Sequence, residues 1–260
     1  MKTIFFGATE LGYDCCEALI EAGQNIVGIF TIPQDFDISY SPGKKVKNYM
    51  FRDFRALGEK YSLPVFEVNQ NLKQHQKKLE ELSPDFLLAI GWYYMLPKSM
   101  LKLFSKGAAG IHASLLPKYR GNAPLVWAMI NGEKETGISF FYFSDGVDEG
   151  DIIGQKVFSI EAEDTIRDLL NKTKLAAIEV LLKCMPEIAK GNAPSIPQDH
   201  RQASIFPKRS PEDGLINWDW DAERIRNFIR AQTKPYPGAY TYINGKKVII
   251  WDASIIEEYV

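Results

Sequence analysis

Gly110-Ile111-His112-Ala113-Ser114-Leu115-Leu116-Pro117-Lys118-Tyr119-Arg120-Gly121 is the stretch whose reading decides the fold. It carries one of only three histidines in the chain. Pro117 lacks an amide donor and Gly121 frees the backbone, so no regular element runs far past Leu116. The residues before His112 (Ala108, Ala109, Gly110, Ile111) are small and apolar, as at the end of a buried parallel strand. Ligands of open α/β sheets bind outside the carboxyl ends of such strands, so His112 is placed for proton chemistry. A core histidine satisfied by a neighbour is the alternative from this stretch alone.

Working outward, Thr3–Phe6 is a short apolar run that enters Gly7 and then a periodic segment from Leu11 to Ala22. That is strand, glycine turn and helix, without the G-x-G-x-x-G dinucleotide fingerprint. Strands are expected over Asn25–Thr31, Leu63–Phe66, Asp85–Ile90, Gly137–Phe143 and Ile152–Ile160. Helices are expected over Phe51–Tyr61, Leu72–Leu82, Pro97–Phe104, Asn122–Ile130 and Thr165–Ala189, the last with Asp164 as N-cap. The fold class is therefore α/β, a Rossmann-like doubly wound, mostly parallel sheet, with a small C-terminal mostly-β domain. The expected domains are 1–190, a linker over 191–209 with prolines at 194, 197 and 207, and 210–260. Pro33–Tyr49 reads as a long polar loop, and His75 as a solvated residue on a surface helix.

The chain has 260 residues, 45% hydrophobic and 25% charged, an ordinary globular composition. A net charge of −2 gives no electrostatic footprint for nucleic acid. Its three cysteines form neither a disulfide framework nor a metal pattern, which favours a reducing compartment. Met1–Phe6 is too short for a signal peptide, and no run reaches the ~18 apolar residues of a membrane span. A cytoplasmic protein is expected.

Two segments besides the opening one carry chemistry. Trp92-Tyr93-Tyr94-Met95-Leu96-Pro97 follows a strand, and its aromatics either line a flat-ring pocket or pack in the core. Asp145-Gly146-Val147-Asp148-Glu149-Gly150-Asp151 is an acidic turn expected to leave the same sheet edge as His112. Asp148 beside His112 favours the charged imidazole, which can donate to a developing oxyanion, and the carboxylate can then accept a proton. Asp145 and Asp151 compete for that role. A solvated turn is the plainer alternative, and a metal site matches no template at these spacings.

The run from His112 through Pro124, with Asn131-Gly132-Glu133, Thr136-Gly137 and then Asp148, Gly150, Ile152 and Gln155, resembles the N10-formyltetrahydrofolate-dependent formyltransferases. These include glycinamide ribonucleotide formyltransferase, methionyl-tRNA formyltransferase and the nucleotide-sugar N-formyltransferases. The likeness covers roughly residues 1 to 254. Asp213–Trp218 and Ile229–Ala239 match the second domain of the tRNA and sugar enzymes. The resemblance implies formyl transfer to a primary amine, with His112 stabilising the oxyanion and Asp148 holding it charged and shuttling the amine's proton. It implies a pterin site at Trp92, Tyr93, Tyr94, Met95, Leu96 and Pro97, closed by Asp145 and Gly146, with no metal. Ser114, Lys118, Tyr119, Arg120 and Asn122 are the implied acceptor residues. Lys44, Lys45 and Lys47 are further candidates for a diphosphate. One position departs from the family pattern: Gly110 stands where an asparagine is usual, two residues before the histidine.

The run from Ser114 to Trp127 looks closest to the formyltransferase acting on UDP-4-amino-4-deoxy-L-arabinose. The chain ends soon after Trp251 on the acidic pair Glu257–Glu258, an ending poorly suited to binding a polyanion. The expected acceptor is therefore a nucleotide-linked amino sugar, for surface polysaccharide synthesis, with neither nucleic acid nor membrane as partner and with a homodimer admitted. The alternatives are methionyl-tRNA formyltransferase and, because of Gly110, a catalytically impaired folate or sugar-nucleotide binding module.

Overall fold

Phe6 and Phe30, side by side on neighbouring strands with ring centroids 4.7 Å apart, mark the buried middle of a sheet. The computed structural model describes residues 1–37, 45–69 and 72–256. Lys44, Glu257 and Glu258, singled out above, lie outside the described residues. The chain divides into two compact units: residues 1–112, 139–155 and 177–198 form the first, and 113–138, 156–176 and 199–260 the second.

In chain order the elements begin with β1 (Thr3–Gly7), α1 (Glu10–Glu21), β2 (Ile26–Thr31), β3 (Asp35–Asp37) and β4 (Lys45–Lys47). Then come α2 (Arg55–Tyr61), β5 (Val65–Glu67), α3 (Gln76–Leu82), β6 (Phe86–Ile90), α4 (Lys98–Leu101) and β7 (Ala108–His112). The chain continues through β8 (Arg120–Gly121), α5 (Pro124–Ile130), β9 (Glu135–Tyr142), β10 (Ile152–Ser159) and α6 (Ile166–Lys190). It finishes with β11 (Ile205–Phe206), α7 (Ala222–Arg230), β12 (Ala239–Ile243) and β13 (Lys246–Ile250).

The first unit is built on a seven-stranded sheet in the order β10-β9-β7-β6-β1-β2-β5. The strands from β5 to β7 are parallel, and β9 joins β7 antiparallel. The mostly parallel, Rossmann-like α/β fold is thus as expected. Strand order reverses between β1 and β6, the switch point where such sheets open a crevice. There the loops touch: the amide of Ala8 donates to the carbonyl of Gly91 (3.2 Å). A side chain at Gly12 would strike the carbonyl of Ile90, so only glycine lets α1 begin this close to the end of β6. Ile4, Phe6, Phe30, Leu87 and Ala89 belong to the core cluster of this unit.

Several local expectations change. Pro33–Tyr49 contains a strand pair, Asp35–Asp37 with Lys45–Lys47, where an uninterrupted loop was expected. Phe36 supplies the reason, because its ring is buried against Tyr93 and so anchors the segment. The helix expected over Pro97–Phe104 is a single turn, and the one over Phe51–Tyr61 starts only at Arg55. His75 is half-buried, edge-on to Phe30 at 5.5 Å, so it is not a solvated surface residue. Asp164 accepts from the amide of Glu161 and pairs with Lys172. It is Asp168 that accepts from the Thr165 amide at the start of α6, which displaces the expected cap.

The second unit has its own core, in which Leu125, Met129, Ile166, Leu169, Phe228 and Ile229 are buried. The pairs β8–β11 (parallel) and β12–β13 (antiparallel) belong to it. Leu215 makes a single bridge, to Tyr240. No helix among the described residues is long and apolar enough to cross a membrane.

Candidate active site

Four small or apolar residues make β7 a strand that tolerates close neighbours on both sides, and His112 is its fifth and last residue. The imidazole is buried, with Nδ1 3.6 Å from Oδ2 of Asp148. That separation is longer than an ordinary hydrogen bond.

The route that brings Asp148 there differs from expectation. Because β9 is antiparallel to β7, its following turn leaves at the amino end of β7, where the Phe143 amide donates to the carbonyl of Ala108 (2.8 Å). His112 lies four residues further along that strand, roughly 13 Å at the usual rise. The turn therefore doubles back along β7 to present Asp148, and the two residues do not leave the same sheet edge. Asp148 itself has φ +54°, in the left-handed region. Asp and Asn enter that region more readily than bulkier residues do.

The other two aspartates of the turn are engaged elsewhere. Asp145 is exposed and pairs with Lys98 at 2.8 Å, and Asp151 accepts from the hydroxyl of Ser195 at 2.7 Å. Gly146 lies directly against the side chain of Glu149.

The aromatic segment follows β6 at the switch point. Trp92 packs on Phe6 (4.9 Å) and Tyr94 (5.7 Å), while Tyr93 and Tyr94 pack on Phe36. The rings of Trp92, Tyr93 and Tyr94 and the side chain of Leu96 thus lie against the core. Met95 is 77% exposed. The indole Nε1 of Trp92 is buried and has no acceptor among the described residues.

Asn48, which the sequence did not single out, ties this segment down. It is fully buried; its amide donates to the Ala8 carbonyl (2.8 Å), and its oxygen accepts from the Tyr93 hydroxyl and the Met50 amide (both 3.0 Å). A recess of about 360 Å³ lies beside Tyr94 and Phe36, and Lys45 shares its lining with Asp35 and Asp37. His112 and Asp148 do not line it. Lys47 lies 6.0 Å from the ring centre of Tyr49.

Gly110 faces Ala89 across β6–β7 and the ring of Phe143. The stretch 191–209 was expected as a surface linker. Within the first unit, however, Ile196 pairs with Ile152 and Gln198 is buried. The signal that hid them was composition, since three prolines read as linker.

The remaining candidates belong to the second unit. Ser114 is buried and its hydroxyl donates to the Lys118 carbonyl, while Lys118 is exposed. Tyr119 stacks on Phe206 (4.6 Å, 7°) and its hydroxyl donates to Glu133. Burial and that carboxylate push the phenol up to about 12. Arg120 is 3% exposed, with Nη2 3.1 Å from Nδ1 of His200. Asn122 accepts from the Arg209 amide (3.5 Å). These contacts make Tyr119 and Arg120 parts of the unit's own packing.

The sequence matches two family models: "Formyl transferase" over residues 1–185 and "Formyl transferase, C-terminal domain" over residues 208–259. It is 36% identical over 258 residues to the methionyl-tRNA formyltransferase of Alkaliphilus oremlandii, covering 99% of this chain and 81% of that protein. It is also 36% identical over 256 residues to the bifunctional polymyxin resistance protein ArnA of Wigglesworthia glossinidia brevipalpis, covering 98% of this chain and 38% of that longer protein. Among solved structures it superposes on the N-formyltransferase from Helicobacter canadensis in complex with folinic acid and dTDP-3-aminofucose. There the TM-score is 0.73 at 21% identity, over 100% of this chain and 90% of that one, a likeness of fold.

Proposed function

This chain belongs to the formyl transferase family, and from that premise we propose that it moves the formyl group of N10-formyltetrahydrofolate to the primary amine of a nucleotide-linked amino sugar. The approach of Asp148 to His112 is the observation that carries the reading. The folate delivers the formyl carbon, and the chain's own residues handle charge and protons around it. His112, faced by Asp148, donates to the oxygen that becomes anionic when the amine attacks. Asp148 takes the amine's proton and passes it to N10 of the folate, which leaves with the electron pair of the broken carbon–nitrogen bond as the oxyanion collapses to the new formamide. Trp92 to Pro97, with Asp145 and Gly146, are the proposed pterin-binding residues; the unmet indole donor of Trp92 and the exposed Met95 support them.

The charge distribution favours a small acceptor over tRNA. Several of the second unit's cations have partners: Arg226 pairs with Glu163, Lys172 with Asp164 and Arg201 with Asp199. Lys247 sits over Tyr240 and Lys234 over Trp251. A polyanion draws its affinity from clustered cations that exchange condensed counterions, and three of these cations already face a carboxylate. The identity to methionyl-tRNA formyltransferase favours a second reading, with methionyl-tRNA as acceptor. Ser114, Lys118, Tyr119, Arg120 and Asn122 remain the proposed acceptor-binding residues under either reading.

One experiment separates them. The protein is incubated with N10-formyltetrahydrofolate and a panel of UDP- and dTDP-linked amino sugars or charged initiator tRNA, and products are read by mass spectrometry. The proposal expects the formyl mass on a sugar nucleotide. Formylation of the tRNA alone replaces the acceptor, and folate binding with no turnover on any member identifies a binding module.

A further inference from the structure

Gln198 stands 50 positions from Asp148 in sequence, yet the two meet. It is buried, and its single amide nitrogen donates to the carbonyl of Asp148 (2.9 Å) and to that of Gly150 (2.7 Å). Both hydrogens of one NH2 group thus bracket the acidic turn. The residues before it run alongside the same turn. Ser195 donates to Asp151, and Ile196 and Ile152 exchange both backbone hydrogen bonds (2.8 and 3.0 Å).

The turn needs outside support. Asp148 is in the left-handed region, which costs any residue with a Cβ, and Gly150 has no room for one beside the carbonyl of Tyr142. Such a conformation persists only where its surroundings over-determine it. The carbonyl that Gln198 holds and the carboxylate that faces His112 branch from the same Cα. Fixing the first therefore limits where the second can go.

We propose that Gln198 is a positioning residue for formyl transfer: its amide clamps the carbonyls on either side of the Asp148 turn and so holds the carboxylate against His112. The proposal rests on the reading that His112 and Asp148 perform the transfer. It assigns Gln198 no contact with substrate.

The test uses the whole protein and the proton NMR signals of the histidine rings at one fixed pH, which are readily separated because there are only three histidines. Gln198→Met keeps the length and removes both donors, Gln198→Asn keeps the donors and shortens the reach, and Asp148→Asn is the reference. The His112 signals are expected to move in Gln198→Met by most of the displacement seen in Asp148→Asn, and by less in Gln198→Asn. Those of His75 and His200 are expected to stay. The proposal is overturned if Asp148→Asn displaces the His112 signals while both Gln198 variants leave them at wild-type positions. If Asp148→Asn leaves them in place, the pairing of His112 with Asp148 fails first, which separates the two claims. Should Gln198→Met not fold, Gln198→Asn decides; if neither folds, the role is structural and the proposal is overturned.

Discussion

The ring of Phe143 occupies the space that a side chain on Gly110 would need. A Cβ on Gly110 would lie 2.6 Å from Cζ of Phe143 and 2.7 Å from the carbonyl oxygen of Ala89. Gly110 and His112 are two apart on β7 and so share a face of the sheet. An aromatic ring therefore covers the strand just before the imidazole, where the family resemblance leads one to look for an asparagine amide.

That arrangement decides what Gly110→Asn does. The added side chain must displace both a ring and a main-chain carbonyl, an overpacking that costs about 1–3 kcal/mol. The expected outcome is a lower melting temperature and no gain in formyl transfer. Gly110→Asn with Phe143→Ala is expected to recover part of the stability, because only the Ala89 contact remains. A single variant that melts at the wild-type temperature and transfers formyl faster would contradict this account.

His112→Ala removes the proposed oxyanion donor, and loss of such a donor lowers turnover by about 10²–10³-fold. Asp148→Asn keeps the shape and removes the charge, so a large loss in kcat is expected there as well. Since the two act as one unit, the double variant should be little worse than His112→Ala alone. Single-turnover rates with formylated folate measure all three, and losses that multiply would mean that the residues work separately.

Much of this was legible in the sequence because period and punctuation carry it. Apolar runs closed by Gly7, Gly91 and Pro117 announce the parallel strands, and His112 after small residues announces a strand end. What stayed hidden depends on tertiary partners. Nothing local in Pro33–Tyr49 says that Phe36 will be buried against Tyr93 or that Asn48 will join three segments. Gln198 sits among prolines, and only the folded chain brings its amide to the Asp148 turn. The pairing of His112 with Asp148 was expected by the wrong route, since the direction of β9 cannot be read from its residues. Among the three acids, the ion pair of Asp145 with Lys98 and the hydrogen bond of Asp151 with Ser195 left Asp148 facing the imidazole.

His75 gives the fold an acid-side weakness. Burial against Phe30 lowers its pKa from the ordinary 6.5. Below that value the unfolded chain takes up a proton that the folded chain resists. Across the window the unfolded state binds more protons, so stability falls as pH falls. His75→Phe removes the group, and its melting temperature should decline less than the wild type's between pH 7 and pH 5. All other titrating groups are common to both proteins, so parallel curves would exclude His75 as the cause.

Asn48 links the turn after β1, the strand β4 and the aromatic segment through one buried amide. Asn48→Ala removes the acceptor of the Met50 amide and of the Tyr93 hydroxyl, and leaves the Ala8 carbonyl with only the Arg52 amide (3.4 Å). Each buried polar group left without a partner costs about 1–3 kcal/mol, less where water reaches it. The expected loss is therefore at least ~2 kcal/mol of stability. Tyr93 also loses its tether within the proposed pterin segment, so tetrahydrofolate binding should weaken even at temperatures where the variant is fully folded. Asn48→Asp keeps an acceptor for Tyr93 and Met50 but offers no donor to Ala8. It should bind folate better than Asn48→Ala if the Tyr93 tether is what matters. Calorimetric titration of both variants with tetrahydrofolate reads the difference, and equal affinities in the two would show that the hydroxyl of Tyr93 plays no part in shaping the site.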